Sequence, residues 1–483
     1  MMIKSKLLAA ASCLAILAPT AIAGEREDAL IEKIVAAYGG EALTTAKSLT
    51  IENENRNINI GQSADPAETN IAINKARLVI DFENGRKSLE NWNKNRGGVF
   101  LNQAIFDGET GYAINHGTKT SSVNANLTYA AVGGGAMRTL DTTLVTVLLE
   151  NRDNAVRGED IRYRNRPHET MTFPMAGSPE LTIFVDKESG LISKMTRENP
   201  AVGTLQYVFT NHKMDDGVTY AGQSSFLIAG QPNSLTVERS ISVNSDISND
   251  FMIPGDYEEQ GPNIDTSEMM VRKLADGIFY AGQNGGFSIF VDAGDHFVAA
   301  GGYAGLTARF DAVKAEAGID KPLRQQIVTH QHSDHIGGMA EAATLGAKFV
   351  TVAEHVGSVQ GQFTEALPED RFELVEGKAS YAGGRVEVYD ISTAHADHYL
   401  LVYVPEIGLV FSADHFSTNL EQGLPTANNN MATFRTAVEA LDLEIDSFIG
   451  AHGTRPLTMQ DLRVATNGYV EVKCPGNRPI CSN

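Results

Sequence analysis

The densest chemistry in the chain is the string IVTHQHSDHIGG, which places His330, His332, Asp334 and His335 within six consecutive positions. Imidazole nitrogens and carboxylate oxygens are the donors that zinc and other borderline divalent ions take. An apolar run precedes the string and a helix-forming segment follows it, so the four residues sit on a strand-to-helix turn. At a strand end, residues two apart point the same way. His330 and His332 can therefore grip one ion together, while Asp334 and His335, beyond the turn, face a second point a few ångströms away. Gly337 and Gly338 let the backbone turn closely beneath them. A single histidine is more often an ordinary core or surface residue, but four potential ligands on one turn form a pattern that chance rarely supplies.

The elements that must position these groups lie in the second of two halves with different grammar. At 483 residues the chain suits two or three domains. Residues 24–265 open with an amphipathic segment, EDALIEKIVAAYGG. They continue as alternating strands broken by turns such as DKESG and MDDG, with one helix, DTTLVTVLLEN. That pattern predicts a β-rich domain built on an antiparallel sheet with one wet face. The polar segment IPGDYEEQGPNIDTSE is the expected linker. From residue 266 to 483 a strand meander gives way to helices and strands in alternation, the mark of a layered α/β arrangement. Nine of the twelve histidines lie at or beyond His296.

The HxHxDH string resembles the signature of the metallo-β-lactamase superfamily, and later segments continue its pattern in order over roughly residues 270 to 465. DISTAHADHYLLVY is similar to the strand-end histidine segment, LVFSADH to the bridging aspartate and SFIGAHG to the last histidine. The resemblance implies an αββα sandwich and a two-metal hydrolase, with zinc the expected metal and iron or manganese as alternatives. His330, His332 and His395 would hold one ion, and Asp334, His335 and His452 the other. Asp414 would bridge them together with a hydroxide, and Asp334 would also orient the nucleophile or carry a proton. His398 competes with His395, and His415 beside Asp414 reads as a supporting or structural residue. The chain departs from the family pattern at HFVAAGGY, where Ala300 stands near a usual aspartate, and around His395, which lacks the usual Gly-His pair. A bridging aspartate is typical of the glyoxalase-II-like thioesterases, lactonases and phosphodiesterases, so the resemblance implies an ester, thioester or lactone rather than a β-lactam. FVDKESGLISKM and YVFTNHKMDDGVTYAG in the first half resemble periplasmic lipoprotein-carrier-like β domains, which implies an apolar groove and an apolar ligand.

Residues 1–23 read as a secretory signal: Lys4 and Lys6, the apolar run Leu7 to Leu17, and Ala21-Ile22-Ala23 before Gly24. Export to the periplasm or beyond is expected. No other stretch is long enough to span a bilayer. The net charge of −21, or −23 without Lys4 and Lys6, disfavours nucleic acid and leaves a small molecule as the expected substrate. Cys474 and Cys481 enclose a Pro-Gly-Asn turn and are expected to form a disulfide in an oxidising compartment. Asn428, Asn429 and Asn430, in the loop after Asp414, are candidate oxyanion donors. Two other readings stay open. One is oxidation of a sulfur compound at a single iron, and the other is an apolar-ligand-binding protein whose metal domain is structural.

Overall fold

The computed structural model describes residues 20–176, 178–200, 202–472 and 478–481. The basic start and apolar run of the expected signal, together with Cys474, lie outside them. No described helix is long and apolar enough to cross a membrane.

The first half is one open sheet of fourteen strands. Neighbours run antiparallel except at one edge, where Glu258–Glu259 pairs parallel with Thr120–Val123. Helices Thr20–Ala37 and Asp141–Glu150 cover part of one face, burying Ile31, Ile34, Leu144 and Leu148 against Ile51, Ile80, Ile183 and Phe209. Asp141 is fully buried at the start of the second helix. It accepts from the Tyr38 hydroxyl at 2.6 Å and from the Ala221 amide at 2.9 Å, which locks that helix to the sheet.

The period of two along the first strand, Ser48–Asn59, puts Leu49 and Ile51 on this covered face and Asn53, Asn55 and Asn57 on its continuation. Asn55 donates to Asn74 on the neighbouring strand at 2.9 Å, and Asn74 is paired in turn with Asn93. The open part of the face therefore carries a row of amides.

The second half is a four-layer sandwich. Seven strands from Met270 to Leu374 lie in sequence order in one sheet, and five strands from Lys378 to Gly450 in another. Strands Gly286–Asp292, Tyr399–Val404 and Leu409–Ala413 are buried at every position, as strands covered on both faces must be. Between the sheets, Ile278, Tyr280, Ile289 and Val298 meet Val388, Val402, Val410 and Phe448. Outside the first sheet, Leu306, Phe310, Val313 and Met339 pack on Phe279, Phe290 and Phe349. Helices Asn429–Glu439 and Met459–Thr466 cover the second sheet through Met431, Phe434 and Leu462.

The connection between the halves is pinned at both ends rather than free. Glu258–Glu259 joins the edge of the first sheet, and Asn263 bridges to Leu420 in the second half. The C-terminal tail crosses back. Arg478 pairs with the buried Glu90 and donates to Gln103 at 3.1 Å, and Cys481 is disulfide-bonded.

Candidate metal centre

All seven side chains singled out in the sequence converge at the carboxyl ends of strands. His330 and His332 follow Leu323–Ile327, His395 follows Val386–Ile391, Asp414 follows Leu409–Ala413 and His452 follows Ser447–Gly450. They form two groups of four whose donor atoms lie within 4.8 Å of one another: His330, His332, His395 and Asp414 in one, Asp334, His335, Asp414 and His452 in the other. Asp414 belongs to both. Its Oδ2 lies 2.9 Å from His395 Nε2 and 3.5 Å from His330 Nε2, and its Oδ1 lies 2.6 Å from His335 Nε2 and 3.3 Å from His452 Nε2. The backbone that aims it is strained: Ala413 has φ 39°, a left-handed conformation that costs a non-glycine residue about 1–3 kcal/mol. Hydrogen bonds on either side hold it there, from the Ala451 amide to Ala413 O at 2.9 Å and from the Tyr399 hydroxyl to Ser412 O at 2.7 Å.

The donor set fits cations. His330 Nε2 and His395 Nε2 face each other at 3.1 Å, and Asp414 Oδ1 accepts no aligned hydrogen bond although His335 Nε2 is 2.6 Å away. Lone pairs turned toward shared points in this way need positive charge between them. His332 supplies a further sign. Its Nε2 lies 3.0 Å from the Ser63 carbonyl, which can only accept, so the proton sits on Nε2. Nδ1 is left as the lone pair, buried and without a partner.

Electrostatics agree. Burial, then the neighbouring His335 and His332, hold His330 well below the usual imidazole range, and burial and His395 bring His332 down to about 4. Both are neutral at physiological pH, as a cation site requires of its imidazoles. Burial would raise Asp414, but the charge of His335 and the close approach of the His330, His335 and His395 rings keep it well below the carboxylate range. His452 moves the other way: burial lowers it, but Asp414 and Asp334 raise it by more.

The remaining candidates separate cleanly. His398 pairs with Asp390 at 2.9 Å and belongs to neither group. His415 is buried, contacts the Thr393 hydroxyl at 2.9 Å and stacks on Phe434. Thr393 also accepts from the amides of His395 and Ala396 at 3.2 and 3.3 Å, which shapes the turn that lacks the usual Gly-His pair. Asn428 caps the helix Asn429–Glu439, accepting from the Met431 amide, and Asn429 donates to Arg96 O at 3.0 Å. Asn430 meets His395 Nδ1 at 3.2 Å, with its own Oδ1 buried and unpaired. Turning that carboxamide over lets Oδ1 accept from the ring N–H, which would fix His395 with Nε2 toward the centre.

Two contributors escaped the sequence. Tyr303 places its hydroxyl 2.9 Å from His335 Nε2 and 2.6 Å from His452 Nε2. The other is the turn after Asn59 in the first half. Gln62 Nε2 donates to Asp334 Oδ1 at 3.0 Å, and the Ser63 and Ala64 carbonyls accept from Gln331 at 2.6 and 3.1 Å. With the turn at Arg96 and Gly97, this segment walls a cavity of about 500 Å³ whose floor includes His332 and His395. Replacing Gln62 with alanine is expected to lower kcat about tenfold with metal content unchanged. The partly exposed Asp334 loses a charge-assisted hydrogen bond at the weak end of the ~1.5–3 kcal/mol range. Steady-state kinetics with metal analysis checks this.

No family model matches the sequence, and no curated protein is significantly similar to it. Solved structures match part of it. FIM-1 metallo-β-lactamase from Pseudomonas aeruginosa, in its mono-zinc form, is 19% identical over 42% of this chain and 95% of that one, with a TM-score of 0.32. The metallo-β-lactamase from Pontibacter korlensis is 18% identical over 41% and 98%, TM-score 0.32, and DIM-1 metallo-β-lactamase 14% over 42% and 96%, TM-score 0.34. Part of this chain resembles the metallo-β-lactamases. The convergence of the four motif residues with His395, Asp414 and His452, rather than these distant identities, supports a metal site here.

Proposed function

We propose that the protein is an exported two-metal hydrolase that cleaves an ester, thioester or lactone of a compact polar substrate. The observation that carries this is the sharing of Asp414 between two groups of His and Asp donors. His330, His332, His395 and Asp414 would hold one divalent ion, zinc by their chemistry, and Asp334, His335, His452 and Asp414 a second. Such ions, when bound, acidify water toward neutrality and draw charge from a carbonyl oxygen. The chain's own residues do the rest. Asp334, held by Gln62 and 40% exposed, would take a proton from an attacking water. The Ser63 carbonyl and Asn430 keep the His332 and His395 rings in orientation.

The cavity beside this centre is of ligand size. It is lined by Asn59, Asn70, Asn95 and Thr69 with Arg96 and Glu68, which favours a polar substrate over a long acyl chain. Export rests on the signal-like N-terminus, and the disulfide at Cys481 accords with an oxidising compartment.

Metal content of the full chain, measured beside cleavage of thioester, lactone, phosphodiester and β-lactam substrates, tests the reading. Two ions and chelator-sensitive cleavage of an ester-type bond are expected, and no metal with no turnover would end it.

Acidification gives a second test. Protons compete with metal for imidazole lone pairs. His452 has a raised pKa and binds its proton at higher pH than His332, which holds out to about 4. The second position is therefore expected to empty first as pH falls. Metal per chain after dialysis along a pH series should show two steps, the earlier of them at the second position.

A further inference from the structure

The second group of donors has a fifth member. Ligands on one ion at bonds of about 2.0–2.1 Å lie about 2.9 Å apart when cis in an octahedron and about 3.3 Å apart in a tetrahedron. Tyr303 Oη meets His335 Nε2 at 2.9 Å, His452 Nε2 at 2.6 Å and Asp334 Oδ2 at 3.4 Å. Those are the separations of one coordination shell. Among the other members, His335 to Asp334 is 3.4 Å and His452 to Asp414 is 3.3 Å.

The placement is set by main chain rather than by a flexible side chain. The Gly338 amide donates to Gly302 O at 2.7 Å. A Cβ at Gly338 would sit 2.2 Å from Tyr303 O, and one at Gly302 would sit 2.2 Å from His335 O. The two glycines thus let the loop bearing Tyr303 lie in backbone contact with the loop bearing Asp334 and His335. Arg309 clamps it from below, donating to Ala304 O at 2.9 Å and to Tyr303 O. The Tyr303 ring packs over Gly286, where a Cβ would come within 3.3 Å.

We propose that the Tyr303 phenol oxygen is a ligand of the second metal position, which becomes a five-donor site of three anionic oxygens and two imidazoles. The inference rests on the metal-centre reading above and extends it. As the oxygen–metal bond forms, the phenol proton passes to solvent and no electron moves. Three anionic oxygens suit a harder ion than the first position takes, with iron(III) the fitting probe.

The test uses the full chain stripped with chelator and titrated with iron(III) as its nitrilotriacetate complex. Expected are a visible charge-transfer absorption and resonance-enhanced tyrosinate ring vibrations. Both should vanish in Tyr303→Phe, whose affinity at the second position should fall at least tenfold while its melting curve stays that of the wild type. Iron bound without tyrosinate vibrations, or vibrations that survive in Tyr303→Phe, would overturn the role of Tyr303 and leave the metal centre standing. Iron binding at neither position would overturn the role of Tyr303, and the metal centre falls with it only if zinc also fails to bind the stripped chain. Should Tyr303→Phe fold poorly, the wild-type vibrational spectrum decides alone.

Discussion

Replacing Asp414 with alanine is expected to strip both metal positions at once and to abolish turnover. Each oxygen of this carboxylate serves a different group. Oδ2 faces His395 and His330, and Oδ1 faces His335 and His452. Deleting a residue that merely supports a ligand typically costs about 10–100-fold in metal affinity. Deleting an anionic ligand costs more, and here the loss falls on two ions. The remaining His330, His332 and His395 would hold one ion with neutral nitrogens only, with no carboxylate to offset its charge. Metal analysis after dialysis against buffered zinc should give well under one ion per chain, against two for the wild type. Asp414→Asn retains shape but not charge and should fall between them. If Asp414→Ala keeps both ions tightly, the carboxylate is not shared and the two groups act independently. The carboxylate also balances its imidazoles without metal. Its pKa is depressed in the folded chain, so it contributes stability above the unfolded carboxylate value, and that stability is lost as pH falls through the folded one. The variant's metal-free melting temperature should therefore drop at neutral pH and converge on the wild type in acid.

How much of this was legible in the sequence follows from where the chemistry is local. His330, His332, Asp334 and His335 share one turn, so their spacing alone carried the geometry, and the strand ends before His395, Asp414 and His452 were visible as apolar runs. His395 and His398 could not be told apart by pattern. The structure separates them because Thr393 bends the turn and Asp390 occupies His398. The contributions of Gln62, Ser63 and Arg96 were hidden for a different reason. Gln62 and Ser63 sit in an ordinary polar turn some 270 residues from the motif they touch, and Arg96 sits in another that meets Asp397 and Asn429; nothing in a turn's composition says which surface it will meet. Tyr303 had a faint signal. The Gly301-Gly302-Tyr303 run follows Ala300, and its glycines announce a close approach without saying to what. Strand Arg86–Asn95 is poorly marked in the sequence because Asn91, Asn93 and Asn95 alternate with Trp92 and Lys94, which is poor strand composition by propensity. Pairing to neighbours on both sides overrides it.

The change Asp334→Asn is expected to leave the fold intact and to lower kcat by about 10²–10⁴-fold, the range that a positioned acid or base contributes. The residue stands at the mouth of the centre, with its Oδ2 toward His335 and His452 and its Oδ1 held by Gln62. An asparagine there keeps the volume and one oxygen but cannot take a proton from water. It also turns an amide donor toward either Gln62 or the cation position, and each arrangement loses a contact. Burial would raise the Asp334 carboxyl, but His335 and the Gln62 hydrogen bond lower it by more, so it is ionised across the neutral range. The wild-type rate should accordingly be flat from mildly acidic to neutral pH as far as this group is concerned. Two mechanisms of loss can be told apart by adding zinc. If Asp334 acts only as a ligand, excess zinc should restore the rate of Asp334→Asn. If it also carries the proton, the loss should persist with both positions filled, while Gln62→Ala, which only loosens the carboxylate, stays within about tenfold of wild type. A rate for Asp334→Asn equal to that of Gln62→Ala would reduce Asp334 to a matter of orientation and move the proton transfer to another group.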